Sequence, residues 1–115
     1  MNSPLLDKSL DFATQVVLFY EDFSKTKKDT TIAKQLLRSA TSVGANINEA
    51  IYGNSKADFI AKLQIALKEC SESEYWLELL IESGYFSDKT ILARCVEIKR
   101  ILISSINTAK GNDVK

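Results

Sequence analysis

Apolar residues recur every three or four positions along most of the chain, which is the period of an amphipathic helix. The pattern predicts four helices, at about residues 4–24, 30–53, 55–84 and 87–109, and no stretch shows the alternation of a strand. Four such helices joined by short connections predict an all-α protein. We expect an antiparallel up-down-up-down four-helix bundle that forms one domain over residues 1–115.

Each predicted helix has an apolar stripe, and we expect the four stripes to form the core. In the first helix we place the stripe on Leu6, Leu10, Ala13, Val17 and Tyr20, and a flanking set widens it: Phe12, Val16, Phe19 and Phe23. The other three stripes are Ile32, Leu36, Ala40, Val43, Ile47 and Ala50; Phe59, Leu63, Ala66, Cys70, Leu77 and Ile81; and Ile91, Cys95, Ile98, Leu102 and Ile106.

Capping residues and glycines mark the ends of the helices. Pro4 suits a first helical turn, Ser55 and Ser87 are predicted N-caps, and Gly84 is a predicted C-terminal cap. Gly44 lies inside the second helix, where it costs up to about 1 kcal/mol relative to alanine. We therefore expect another backbone to pass close to Gly44.

The composition excludes several classes of chemistry. The chain has 115 residues, 15 Lys+Arg, 15 Asp+Glu, a net charge of +0 and no histidine. It therefore lacks a Ser-His-Asp triad and a Glu-x-x-His di-iron site, and no phosphate-binding or dinucleotide motif appears. We predict no enzymatic activity, no cofactor and no metal site. Cys70 and Cys95 fit buried, reduced thiols of a cytoplasmic protein without a signal peptide or membrane span.

Small and polar residues form a second stripe in the middle of the second predicted helix. Serine and asparagine are poor choices for an exposed helix interior, so this stripe indicates that another helix passes close by. The stripe has three possible interpretations: a packing seam within the chain, a subunit contact or a ligand site. Its members are Arg38, Ser39, Ser42, Asn46 and Glu49.

A second apolar flank on the third predicted helix consists of Ile65, Trp76 and Leu80. Large apolar groups outside the main stripe favour either a contact in a homo-oligomer or a wide core.

The zero net charge is the sum of a basic, an acidic and a second basic segment. The acidic segment, residues 69–82, contains five acids and no base. The segments fit ion pairs between subunits, ion pairs between neighbouring helices, or solvated faces. The bases are also candidate contacts to nucleic-acid phosphates: Lys25, Lys27, Lys28, Lys34, Arg38, Lys99 and Arg100.

The second predicted helix carries the sequence LLRSATSVGANINEA. It resembles the signature of the four-helix bundle proteins related to the 23S rRNA intervening-sequence protein. The matching positions are Arg38, Ser39, Ser42, Val43, Ala45, Asn46, Ile47 and Glu49. Residues 56–86 are similar to the third helix of that family, and the resemblance extends over about residues 10–107.

The resemblance implies a small cytoplasmic bacterial protein and a subunit of a ring-shaped homopentamer, because several family members assemble in this way. A relative, the accessory protein of diversity-generating retroelements, binds nucleic acid and a reverse transcriptase through a basic surface. Our leading hypothesis is a non-enzymatic, self-assembling scaffold or adaptor whose partner is itself. The alternative is an accessory protein that binds RNA or DNA through basic patches on the assembled ring.

Overall fold

Four helices account for the fold of this chain. The computed structural model describes residues 3–27 and 29–111, and strands are absent from these residues. The helices are α1 (Pro4–Thr26), α2 (Thr31–Ile51), α3 (Lys56–Glu82) and α4 (Thr90–Ala109). The predicted all-α, four-helix fold is confirmed.

The helices pack in the cyclic order α1, α2, α3, α4. Within the described residues each helix contacts its two neighbours and not the helix diagonally opposite. Along α2, Arg38 pairs with Glu69 and, farther on, Glu49 pairs with Lys62, so the partners on α3 run backwards. The same reversal orders the two ion pairs between α1 and α4, Lys8–Glu97 and Asp11–Arg94. α2 and α3 therefore run antiparallel, and so do α1 and α4.

The core follows the predicted stripes of α2, α3 and α4. Residues near the helix ends, such as Ile32 and Phe59, are half-buried. The fully or almost fully buried members of these stripes are Leu36, Ala40, Val43, Ile47, Ala50, Leu63, Ala66, Cys70, Leu77, Cys95, Ile98, Leu102 and Ile106. Removing these side chains from water supplies most of the driving force for folding.

The predicted core stripe of α1 is wrong at Leu10 and Val17, whereas its flanking residues Phe12, Val16 and Phe23 are buried as predicted. Leu10 is 69% exposed and Val17 is 45% exposed. The buried residues of α1 are Leu5, Ser9, Phe12, Val16 and Phe23. The helix has two apolar stripes, and the stripe with the phenylalanines faces the core because burying these larger side chains removes more apolar area from water.

Most of the predicted caps are present. Pro4 is the first residue of α1, and the Ser55 hydroxyl caps α3 by accepting a hydrogen bond from the Asp58 backbone N–H at 3.0 Å. Gly84 has φ +81°, and its N–H donates to the Ile81 carbonyl. A glycine in this left-handed conformation commonly follows the last turn of a helix, and Gly84 ends α3 in this way.

The start of α4 differs from the prediction. Ser87 is not the N-cap, because α4 begins at Thr90 and Lys89 occupies the N-cap position without a side-chain hydrogen bond. The carboxylate of Asp88 instead accepts hydrogen bonds from the hydroxyl of Thr90 at 2.6 Å and from its backbone N–H at 2.9 Å. Both bonds favour the charged form and lower the pKa of Asp88.

Gly44 lies against α1, as expected, but the site has room for a methyl group. A Cβ atom added to Gly44 would lie 3.4 Å from Ser9 Oγ and 3.6 Å from Ser9 Cβ, which are ordinary contact distances. Because alanine favours the helix, we expect Gly44→Ala to raise the free energy of unfolding by up to about 1 kcal/mol. Urea denaturation monitored by circular dichroism measures this change, and a loss of stability would contradict the expected fit.

Candidate functional site

A buried pair of serines joins α2 to α3 at the centre of the predicted polar stripe. Ser39 and Ser73 are fully buried, and their Oγ atoms lie 2.8 Å apart. Ser73 Oγ also lies within hydrogen-bond distance of the Glu69 carbonyl (2.9 Å), and Ser39 Oγ of the Leu36 carbonyl (3.3 Å). Since each hydroxyl has one hydrogen, one serine donates to the other and the second donates to its own backbone carbonyl. Sequence reasoning missed Ser73, although it fills the gap between Cys70 and Leu77 in the core stripe of α3.

Arg38 crosses the outer side of the same helix pair. Its Nη1 atom lies 3.3 Å from Glu69 Oε1, and its other terminal nitrogen contacts Glu72 Oε2. Glu72 Oε2 also accepts a hydrogen bond from Trp76 Nε1 at 2.9 Å. The guanidinium therefore pairs with two carboxylates of its own chain, and the indole N–H donates its hydrogen bond within α3.

The rest of the polar stripe also remains within the α2–α3 pair. Glu49 Oε1 lies 2.8 Å from Lys62 Nζ, and this hydrogen bond and the negative charge raise the pKa of Lys62. Asn46 Nδ2 donates to the backbone carbonyl of Ser42 at 2.9 Å. These contacts support the packing seam within the chain among the three interpretations of the stripe.

The apolar flank of α3 divides between the core and the surface. Leu80 is 2% exposed and belongs to the core, so the wide-core interpretation applies to this residue. Trp76 is half-buried against the core. Ile65 remains 43% exposed, and its role as a subunit contact stays a prediction.

The predicted basic contacts do not form one surface. Lys99 Nζ lies 2.9 Å from Glu74 Oε1, and this hydrogen bond raises the pKa of Lys99. Arg38 is engaged as described, Arg100 is exposed on α4, and Lys28 lies outside the described residues. Of the predicted contacts, three are exposed at the same end of the bundle: Lys25, Lys27 and Lys34.

The two cysteines face each other between α3 and α4. Cys70 Sγ and Cys95 Sγ are 3.7 Å apart, and each thiol also lies within hydrogen-bond distance of the other residue's carbonyl. The hydrogen bond to Cys70 and burial raise the pKa of Cys95 far above its ordinary value. This thiol therefore stays protonated and is a poor nucleophile. Over residues 3–27 and 29–111, no cluster of side chains could hold a metal ion.

A face with few charged residues lies on the outside of α1 and α2. Residues 12–20 of α1 and 39–48 of α2 contain no charged residue, and a groove of about 480 Å³ runs between the two helices, with Asp7 in its lining. We call this the α1/α2 face, and its other residues include Leu6, Leu10, Ala13, Val17, Thr41, Ala45 and Asn48. Sequence reasoning missed it because Leu10 and Val17 were assigned to the core.

None of the four helices, over the residues that the structure describes, has the length and apolar character needed to cross a membrane.

Comparisons with known proteins agree with this architecture. The family model described as 23S rRNA-intervening sequence protein matches residues 2–104. A crystal structure from Bacteroides thetaiotaomicron, of a protein with unknown function from the S23 ribosomal protein family, is similar with a TM-score of 0.85. The two chains are 48% identical, and the similarity covers 89% of this chain and 97% of that chain. No curated protein matches the chain.

Proposed function

Because the chain belongs to the family of 23S rRNA-intervening sequence proteins, we propose that it is a non-enzymatic helical bundle that assembles with copies of itself. The assembly we propose is a homopentamer that acts as a scaffold or adaptor. The number of five copies comes from the resemblance of the α2 sequence to family members that form rings.

The observation that carries this proposal is the α1/α2 face. Leu10 and Val17 are exposed on the α2 side of α1, and residues 12–20 of this helix contain no charged residue over about two turns. The exposed side of α3, in contrast, carries charged residues such as Lys68 and Glu78. Centres of protein interfaces are depleted of charge and enriched in large apolar groups. The α1/α2 face has this composition.

The polar groups inside the bundle support a structural role. Among the described residues, every buried side-chain nitrogen and oxygen has a hydrogen-bond partner within the chain. The carboxylates of Glu69, Glu72 and Glu74 are paired with bases of the neighbouring helices. These groups therefore stabilise the contacts between the helices of the bundle.

Self-assembly predicts that thermal stability depends on protein concentration. A complex that forms only between folded chains stabilises the folded state by mass action, so the Tm rises as the concentration rises. We expect the Tm measured by circular dichroism to increase by several degrees between about 1 and about 100 µM protein. A Tm that does not change over this range would contradict the proposed assembly.

Binding of RNA or DNA is the second candidate function, and one observation favours it. Lys25, Lys27 and Lys34 are exposed at the end of the bundle where α1 and α2 meet. Arg38 and Lys99, however, are paired with carboxylates of the same chain, which leaves a small patch. We expect no gel shift with single-stranded RNA or duplex DNA at low salt. A shift that weakens steeply with added salt would favour the second candidate.

A further inference from the structure

The outer sides of the α1–α2 pair and the α3–α4 pair lie on opposite sides of the bundle, because the four helices pack in cyclic order. A ring requires two different surfaces on each copy, since one meets the copy before it and the other meets the copy after it. The α1/α2 face is one surface of this kind. The question is which surface of the next copy covers it.

A groove of about 510 Å³ lies between α3 and α4 on the opposite side of the bundle. Its apolar lining consists of Tyr75, Leu79, Ile81 and Leu92. We call this surface the α3/α4 face, and its lining includes Tyr75, Glu78, Leu79, Glu82, Lys89 and Leu92.

Charge distinguishes the two faces at one end of the bundle. Because neighbouring helices are antiparallel, the end of α1, the start of α2 and the end of α3 lie at the same end of the molecule. Lys25 and Lys34 are exposed beside the α1/α2 face there, and Glu78 and Glu82 are exposed on the α3/α4 face. Among the described residues, none of these four side chains takes part in an ion pair.

A rotation about an axis parallel to the helices keeps the same end of every copy at the same height. It therefore brings the Lys25 and Lys34 end of one copy level with the Glu78 and Glu82 end of the next. Complementary charges at the rim of an apolar contact fix the register in which two surfaces meet. Glu21 lies near the two lysines and Lys89 lies near the two glutamates, so each group has one neighbour of opposite charge. We therefore base the test on a single pair, Lys34 facing Glu78.

We propose that the α1/α2 face of one copy docks on the α3/α4 face of the next copy, with Lys34 opposite Glu78 and Val17 in the apolar centre. This inference rests on the proposed self-assembly. It places the subunit contact away from the α2–α3 seam and from Ile65, which lies on the α2 side of α3.

Cross-linking between two variants that each gain one exposed cysteine tests the docking directly. Lys34→Cys and Glu78→Cys each add one exposed thiol, while the native Cys70 and Cys95 are fully buried. Chains of the two variants are mixed, allowed to exchange, and treated with a short bis-maleimide. We expect a cross-linked pair of chains on a denaturing gel from the mixture and none from either variant alone.

Three outcomes would overturn the proposed docking. One is a cross-link in Lys34→Cys alone, since like surfaces would then meet. Another is a cross-link between copies of Ile65→Cys, because the contact would then lie on the flank of α3. The third is an oligomer in solution with no cross-link in the mixture. In that case self-assembly would stand and the docking would fail, whereas a chain that stays monomeric would overturn the proposed function itself.

Charge placed in the apolar centre gives an independent measurement. Val17→Glu and Ile65→Glu alter side chains that are exposed to a similar degree, so circular dichroism should show that both variants remain folded. We expect Val17→Glu to raise the dissociation constant of the assembly by roughly tenfold or more, because a carboxylate would be buried against apolar groups. Ile65→Glu should leave it unchanged. Equal effects of the two substitutions would overturn the docking.

Discussion

Replacing Phe12 by alanine is expected to lower the free energy of unfolding by about 3–5 kcal/mol, the largest loss we predict for a single substitution. Phe12 is fully buried on the core stripe of α1 and cannot be reached by solvent. Removing its ring forfeits the transfer free energy of the side chain and leaves a cavity that the packed helices fill only in part. Chemical denaturation with guanidinium chloride measures the loss.

Leu10→Ala is the matched control for this prediction, because it truncates a residue on the other apolar stripe of α1. The Leu10 side chain is already largely exposed in one chain, so we expect a loss below about 1 kcal/mol at a protein concentration where the monomer predominates. If Leu10→Ala were as harmful as Phe12→Ala under these conditions, the orientation of α1 described above would be wrong.

Ser39→Leu is expected to have the second largest effect, a loss of about 1–3 kcal/mol or more. Ser39 faces Ser73 across the closest part of the α2–α3 contact, and the two Oγ atoms are 2.8 Å apart. The longer leucine side chain has no free volume to occupy there and must push the two helices apart. Urea denaturation followed by tryptophan fluorescence is suited to the measurement, because Trp76 lies on the next turn of α3 after Ser73.

Two further variants separate packing from polarity. Ser39→Ala removes the hydroxyl but adds no volume, and Ser73 keeps its bond to the Glu69 carbonyl, so we expect a loss of about 1 kcal/mol or less. Ser104→Leu makes the same change at an exposed position of α4 and should be nearly neutral. A small effect of Ser39→Leu, equal to that of Ser104→Leu, would show that the seam is not closely packed.

Much of the fold could be predicted from local patterns. The apolar stripes of α2, α3 and α4 identify the core because each of these helices has one dominant stripe. The small side chain of Ser39 within α2 correctly indicates a close helix contact, since a solvent-facing position would favour a longer polar residue. Gly84 and Ser55 mark helix ends because their roles depend on local backbone conformation.

The remaining features depend on contacts between distant parts of the chain. In α1, two stripes compete, and periodicity cannot decide which one faces helices that are far away in sequence. The partners of Arg38 lie 31 and 34 residues farther along the chain, so their pairing is visible only in three dimensions. The start of α4 is set by hydrogen bonds from Thr90 to Asp88, which compete with the cap expected at Ser87.

The two α1 stripes also explain why the candidate interface differs from the one predicted. If Leu10 and Val17 lay in the core, the outside of α1 would be polar, and the flank of α3 would be the predicted subunit contact. Because Phe12 and Val16 face the core, Leu10 and Val17 are exposed beside α2 and form an apolar surface that a partner could cover.

The mass of the protein in solution tests the central claim most directly. Native mass spectrometry at micromolar concentration distinguishes one chain of 12.8 kDa from a closed ring of copies. We predict a main species of five chains, about 64 kDa, in keeping with a closed ring built from one repeated contact. A single species of 12.8 kDa at every concentration up to the micromolar range would contradict the account.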